Sequence, residues 1–165
     1  MSIAGLYLTE EDCKLAVLDD GLEILTLETN EEIIEHLEQV KILAVNAALK
    51  TGRELDEVEE DLQEEGYIFS PGENDETLRR RAAHLNQLIK QRGLNTELIR
   101  YDPMITSKEL AIDGDQALES MGINPSDIES SHEFDAALGA VTARFYEQYQ
   151  FEDFGVVVPE SLHNT

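Results

Sequence analysis

Ser2-Ile3-Ala4-Gly5-Leu6-Tyr7-Leu8, then Lys14-Leu15-Ala16-Val17-Leu18, Asp19-Asp20-Gly21 and Leu22-Glu23-Ile24-Leu25-Thr26-Leu27 form the stretch on which the fold turns. Asp-Gly between two apolar runs is a hairpin signal, because both central positions of the tight turn favour residues that tolerate positive φ. The stretch therefore predicts three antiparallel strands. Thr29-Asn30-Glu31-Glu32 comes next, with an acid three residues after Thr29 as in a capping box. Ile33, Ile34 and Leu37 supply the buried face of a helix expected to end near Gln39. Lys41–Ala48, with Ile42, Leu43, Ala44 and Val45, is nearly continuously apolar, as a central parallel strand buried on both faces should be.

Beyond it, helix and strand alternate. Arg53–Glu65 is an acidic helix with Leu55, Val58 and Leu62 as its stripe, closed by Gly66. Tyr67–Phe69 is a short strand before the turn Ser70-Pro71-Gly72. Asn74 or Asp75 caps a second helix running to about Arg92, with Leu78, Ala82, Leu85 and Ile89 on one face. Thr96–Tyr101 is a strand broken by Asp102-Pro103. Short helices are expected over Thr106–Ile112 and Gln116–Met121, then the linker Asn124-Pro125. Ser131–Tyr149 is a long amphipathic helix, and Gly155–Val158 a terminal β-like segment. The order predicts an α/β protein: three antiparallel strands, then alternating helices and parallel strands in one mixed sheet with helices on its faces. That is the element order of the ribonuclease H-like fold. Residues 1–159 are expected to make one domain and 160–165 a short tail.

Composition narrows the function. The chain has 165 residues, 36 Asp or Glu against 12 Lys or Arg, and a formal net charge of −24. Counterion release from a bare phosphate backbone needs clustered bases, so nucleic acid is a doubtful partner. A protein partner or self-association fits better. The charge reads either as a solvated surface or as adaptation to a salt-rich cytoplasm, where screening contracts to ~3 Å at 1 M. One cysteine, Cys13, excludes an internal disulfide, and no Cys/His cluster has zinc spacing. No apolar run approaches the ~20 residues of a membrane helix. Met1–Leu8 lacks the basic start of a signal peptide, so no membrane association and a cytoplasmic location are expected.

Four landmarks carry a resemblance. Ile3-Ala4-Gly5-Leu6-Tyr7-Leu8 resembles the first strand, and Ala44-Val45-Asn46-Ala47-Ala48-Leu49 the Ile-Asp-Ala-Pro-Leu segment, of a ribonuclease H-like family numbered 429 among domains of unknown function. Tyr101–Lys108 resembles a segment with a Pro after a late strand, and His132-Glu133-Phe134-Asp135-Ala136-Ala137 the start of the last helix. The closing Gly155-Val156-Val157-Val158-Pro159 also fits. Members of that family are often predicted to be nucleases.

The resemblance implies a two-ion site for phosphodiester hydrolysis, built from hard oxygen ligands on the first strand, the fourth strand and the last helix. Carried over, these positions are Tyr7, Asn46, His132 and Asp135, of which only Asp135 is a carboxylate. A degenerate member without nuclease activity, acting as a binding or scaffold module with no cofactor, is therefore expected. The alternative is a Mg²⁺- or Mn²⁺-dependent nuclease with relocated ligands, using Asp135 and His132 with Asp102 or Glu10, since resolvases of the RuvC type can carry a His-x-x-Asp pair there. A nucleotide-binding relative of the sugar kinases would need a Gly-rich phosphate loop, and Gly5, Gly21 and Gly114 do not form one.

Two clusters remain. Glu54–Glu65 holds eight acids in twelve residues, with Asp56 near the place where the family often carries Arg, and reads as a solvated helix face. Arg79, Arg80, Arg81, Lys90, Arg92 and Arg100 gather half of the chain's bases into one stretch, expected to pair within the molecule, with an anionic-ligand site as the alternative. Cys13 is expected to be an ordinary thiol.

Overall fold

The computed structural model describes residues 2–47, 64, 76–112 and 115–160. The expected acidic helix Arg53–Glu65, its Gly66 cap, the strand Tyr67–Phe69, the turn at Pro71 and the tail beyond 160 lie outside the described residues, Glu64 and Glu160 excepted.

Strands β1 (Ser2–Leu8), β2 (Cys13–Leu18) and β3 (Leu22–Leu27) form the expected antiparallel meander. Helix α1 (Asn30–Glu35) leads to β4 (Val40–Val45), which pairs in parallel with β1. Helix α2 (Glu76–Gln91) is followed by β5 (Glu97–Arg100), parallel to β4. The main sheet has the order β3-β2-β1-β4-β5. Helices α3 (Pro103–Glu109) and α4 (Asp115–Ser120) and a 3₁₀ turn (Pro125–Asp127) precede α5 (Ser131–Glu147). A separate hairpin, β6 (Phe151–Asp153) with β7 (Val157–Pro159), closes the described chain. This mixed sheet flanked by helices is the ribonuclease H-like architecture.

The period of two along β1 divides the core. Ala4, Leu6 and Leu8 join Leu15, Leu43 and Val45 beneath α1 and α2, which contribute Ile33, Ile34, Leu78, Ala82, Leu85 and Ile89. Ile3 joins Ala16, Ile42, Ala44 and Tyr101 on the opposite face, beneath α5. Tyr7 packs against this second layer. Helix α5 lies unusually close to the sheet because Ala136, Gly139, Ala140 and Ala143 carry little or no side chain. A Cβ on Gly5 would collide with the backbone of Ala136 and Ala140, and one on Gly139 would sit 2.7 Å from Tyr101 Cζ. Both positions require glycine for that approach.

Several boundaries differ from expectation. Helix α1 stops at Glu35 rather than near Gln39, because the His36 N–H bonds Ile33 O in a tightened last turn and the chain then turns into β4. Asp102-Pro103 begins a helix as well as ending a strand. Asp102 Oδ1 accepts from the Met104 and Ile105 N–H groups, and Pro103 occupies the first turn, where its missing N–H costs nothing. Asn124-Pro125 likewise caps and opens a helical turn. Strand β6 is an addition: Glu-Asp in three residues gives no strand signal, and only pairing with β7 defines it.

Candidate functional site

Parallel β1 and β4 end on the same side of the sheet, and the first turn of α5 meets them there. Of the four positions singled out from the sequence, Tyr7 lies on β1, Asn46 directly after β4, and His132 and Asp135 on α5. Their side chains do not make a set of metal ligands.

Asn46 follows β4 directly, is 5% exposed, and reaches across to the last residue of β1. The Leu8 N–H donates to Asn46 Oδ1 at 2.7 Å, and Asn46 Nδ2 donates to Leu8 O at 3.2 Å. The side-chain amide thus behaves as one more peptide unit, extending the β1–β4 ladder past the point where the backbones part. The one oxygen Asn46 could offer a cation is engaged by an N–H.

Tyr7 and His132 meet face to tilted face, with ring centroids 5.1 Å apart and planes at 37°. His132 is exposed, on the first turn of a helix capped by Ser130, whose hydroxyl accepts from the Glu133 N–H. The imidazole is therefore more than a surface side chain: its ring contact ties the start of α5 to the end of β1.

Asp135 sits one helical turn beyond His132 and is half-buried. Burial pushes its carboxyl up to about 6, with the negative charge of Asp102 adding to the rise and His132 opposing it. Two carboxyl groups thus face one region, but they differ in role. Asp102 is fully buried and caps α3, whereas Asp135 lines an open groove with Pro103, Met104, Ser107, Lys108, Phe134 and Leu138.

One organising residue carried no functional signal in the sequence. The Tyr101 hydroxyl, fully buried beneath α5, lies 3.0 Å from the Asp135 carbonyl and 3.3 Å from the Leu6 carbonyl. It fixes the first turns of α5 against β1. A polar-tipped aromatic at the end of a buried strand is the one sequence signal that could have found it.

Mg²⁺ or Mn²⁺ bound in the manner of this fold would need charged oxygen donors from β1 and β4 as well as α5. The donor set present does not fit: Tyr7 offers a phenol, Asn46 a committed amide, and Asp102 a carboxylate already capping a helix. Among the described residues, no group of three or more His, Cys, Asp or Glu is placed to hold a metal ion. Glu10 lies in the exposed β1–β2 turn.

The basic stretch is largely structural. Arg81 donates to the carbonyls of Thr9 at 3.1 Å, Asp12 at 2.9 Å and Glu28 at 2.9 Å, and its Nε to Asn30 Oδ1 at 3.4 Å. Its partners are three backbone carbonyls and the Asn30 side-chain amide, not the neighbouring acids expected from charge alone. Arg80 does pair with an acid, Glu76, at 2.7 Å, and Arg100 is 4% exposed. Cys13 is buried, and desolvation pushes its thiol up to about 11, so it is a core residue rather than a nucleophile. No helix among the described residues is long and apolar enough to cross a membrane.

No protein-family model and no curated protein matches this sequence. Solved structures do. The chain is similar to Thermus thermophilus RuvC in complex with a Holliday junction substrate, at 16% identity and a TM-score of 0.61, over 96% of this chain and 99% of the other. A second Thermus thermophilus RuvC structure aligns with a TM-score of 0.57 at 17% identity and the same coverage. At these identities the likeness concerns the fold, and it extends over nearly the full length of both chains.

Proposed function

We propose that this chain is a ribonuclease H-like protein whose site at the ends of β1, β4 and α5 has become a binding framework that does not hydrolyse phosphodiesters. The observation that carries this reading is the double hydrogen bond between Asn46 and the Leu8 peptide. It turns a position where the fold's chemistry uses a charged ligand into part of the sheet. The Tyr7–His132 ring contact supports the same conclusion at the second position. Residues 1–159 act as one domain with 160–165 as its tail. The kinship with domain-of-unknown-function family 429, as a degenerate member, rests on the segments Ile3–Leu8, Ala44–Leu49, Tyr101–Lys108 and His132–Ala137.

A protein partner or a second copy suits this surface better than nucleic acid, because Arg81 and Arg100 are held within the molecule and the net charge is −24. Operation in a salt-rich cytoplasm fits that charge and predicts loosening on dilution of salt. A melting temperature unchanged between low and molar KCl would remove the salt-adapted reading.

The comparisons favour a second reading more than the first. A likeness spanning 96% of this chain to a protein solved with a Holliday junction substrate supports a nucleic-acid-directed, Mg²⁺- or Mn²⁺-dependent nuclease using His132 and Asp135. One experiment separates the two: labelled four-way junctions and single- and double-stranded DNA and RNA, incubated with Mg²⁺ or Mn²⁺ at low and molar KCl. The first reading expects no metal-dependent cleavage. Cleavage abolished by Asp135→Ala establishes the second and overturns the first.

A further inference from the structure

A cleft of about 410 Å³ lies on a different face of α5 from the His132–Asp135 region, lined by Ser120, Met121, Gly122, Val141, Arg144 and Phe145. Arg144 stands nine residues after Asp135, about 13.5 Å along the helix at 1.5 Å per residue and about half a turn round it. The two places on the helix are thus distinct.

The cleft's chemistry is specific. The walls are apolar, from Met121, Val141 and Phe145, and the charged group among the lining residues is the Arg144 guanidinium. Of that group's five N–H bonds, one is used among the described residues: Nη1 donates to the Met121 carbonyl at 3.0 Å, which fixes the plane of the fork. Among the described residues Arg144 makes no ion pair with a carboxylate. Like Arg81, it is held by a backbone carbonyl and not by an acid, which leaves the rest of its fork open to the cleft. Ser120 adds no competing donor, because its hydroxyl donates to Ala117 O at 2.6 Å. The Met121, Gly122 and Ile123 N–H groups are likewise satisfied, by carbonyls of α4.

We propose that this cleft binds a small organic monocarboxylate with an apolar body, its carboxylate on the Arg144 fork and its body against Met121, Val141 and Phe145. A planar carboxylate matches a guanidinium bidentately. A phosphate dianion would need further donors that the walls do not provide, and it meets twice the repulsion from a protein of net charge −24. The volume falls within the range of small-molecule sites, ~300–1,000 Å³.

The test uses the ¹⁵N-labelled 165-residue chain titrated with phenylbutyrate and, separately, phenylbutyramide, at low and molar KCl. Saturable shifts are expected for the Met121, Gly122 and Phe145 amides with the acid. The isosteric amide should bind about tenfold more weakly or worse, the loss of one charge-assisted hydrogen bond. Arg144→Gln should bring acid and amide to equal affinity. No saturation with the acid, equal affinity for acid and amide on the native chain, or shifts confined to other residues each overturns the proposal. If Arg144→Gln does not fold, the acid-to-amide ratio on the native chain decides alone.

Discussion

Replacing Asn46 by Asp changes one NH₂ into an oxygen, and the surrounding hydrogen bonds set the consequence. The Leu8 N–H keeps its acceptor at 2.7 Å, but the Leu8 carbonyl, 3.2 Å from Asn46 Nδ2, loses its donor and faces a second oxygen. Loss of the hydrogen bond costs about 0.5–1.5 kcal/mol, and a buried carbonyl left unsatisfied about 1–3 kcal/mol. With the side chain 5% exposed, little water can compensate. The sum is about 1.5–4.5 kcal/mol at neutral pH, or about 3–18 °C in melting temperature for a chain of this size. The penalty depends on pH, and its sign comes from linkage. Desolvation and the facing carbonyl raise the folded-state pKa of the new carboxyl in Asn46→Asp above its unfolded value of about 3.9. The protonated acid can donate to Leu8 O, so the folded variant holds its proton more tightly than the unfolded one. Stability relative to the parent is therefore lowest above the folded pKa and recovers as pH falls toward about 3.9. The assay is thermal melting of parent and Asn46→Asp from acid to neutral pH, with and without Mn²⁺. A variant as stable as the parent at neutral pH refutes the role assigned to Asn46. So does a difference that grows on acidification. A large stabilisation of the variant by Mn²⁺ would show instead that one carboxylate suffices to restore an ion site.

The same geometry makes further outcomes measurable. Asp135 should titrate near 6, with its side-chain carboxyl ¹³C shift as the direct readout, and a midpoint in the usual carboxylate range would contradict its placement. Because this folded pKa is raised, the stability linked to Asp135 protonation is fully present below about 3.9 and lost as pH rises through about 6. Asp135→Asn should flatten that part of the stability profile. Gly5→Ala forces a methyl into the backbone of α5 and should cost about 3 kcal/mol or more, and a near-parental melting temperature would show that the helix can retreat. Arg81→Ala removes the bonds to Thr9, Asp12 and Glu28 and should cost about 2–4 kcal/mol by denaturant unfolding. Arg81→Lys should restore little of it, because an ammonium cannot reproduce the fork; full rescue by Lys would reduce Arg81 to a general positive charge.

Much of the framework was legible in the order of residues, for reasons local to the chain. Asp-Gly at 20–21 and the alternation on either side are sufficient for the meander, since a chain reversal and a period of two act over a few residues. Neither Asp20 nor Gly21, however, takes the positive φ that the tight turn leads one to expect. The capping threonine at 29 and the stripe Leu78, Ala82, Leu85 and Ile89 announced two helices in the same way. The short run around Ile42 declared itself a central strand by being apolar on both faces. Boundaries drifted where a local signal has two uses. Asp-Pro at 102–103 both stops β5 and starts α3, and only the capping geometry shows the second function.

The site divides along the same line. The family resemblance read from the sequence singled out Tyr7, Asn46, His132 and Asp135, at the ends of the first and fourth strands and the start of the last helix, with a single carboxylate among them. It could not say what those side chains do. Asn46 finds its partner 38 residues away, Tyr101 reaches the carbonyl of Leu6 95 residues away, and Arg81 gathers carbonyls from up to 72 residues away. Each is a polar group satisfied by distant backbone, and no pattern of neighbouring residues encodes which carbonyl will lie opposite. Burial and pairing are properties of the assembled sheet and helices. Only the tertiary structure could show that the amide at position 46 completes a β-ladder and that the aromatic ring at position 7 rests on an imidazole.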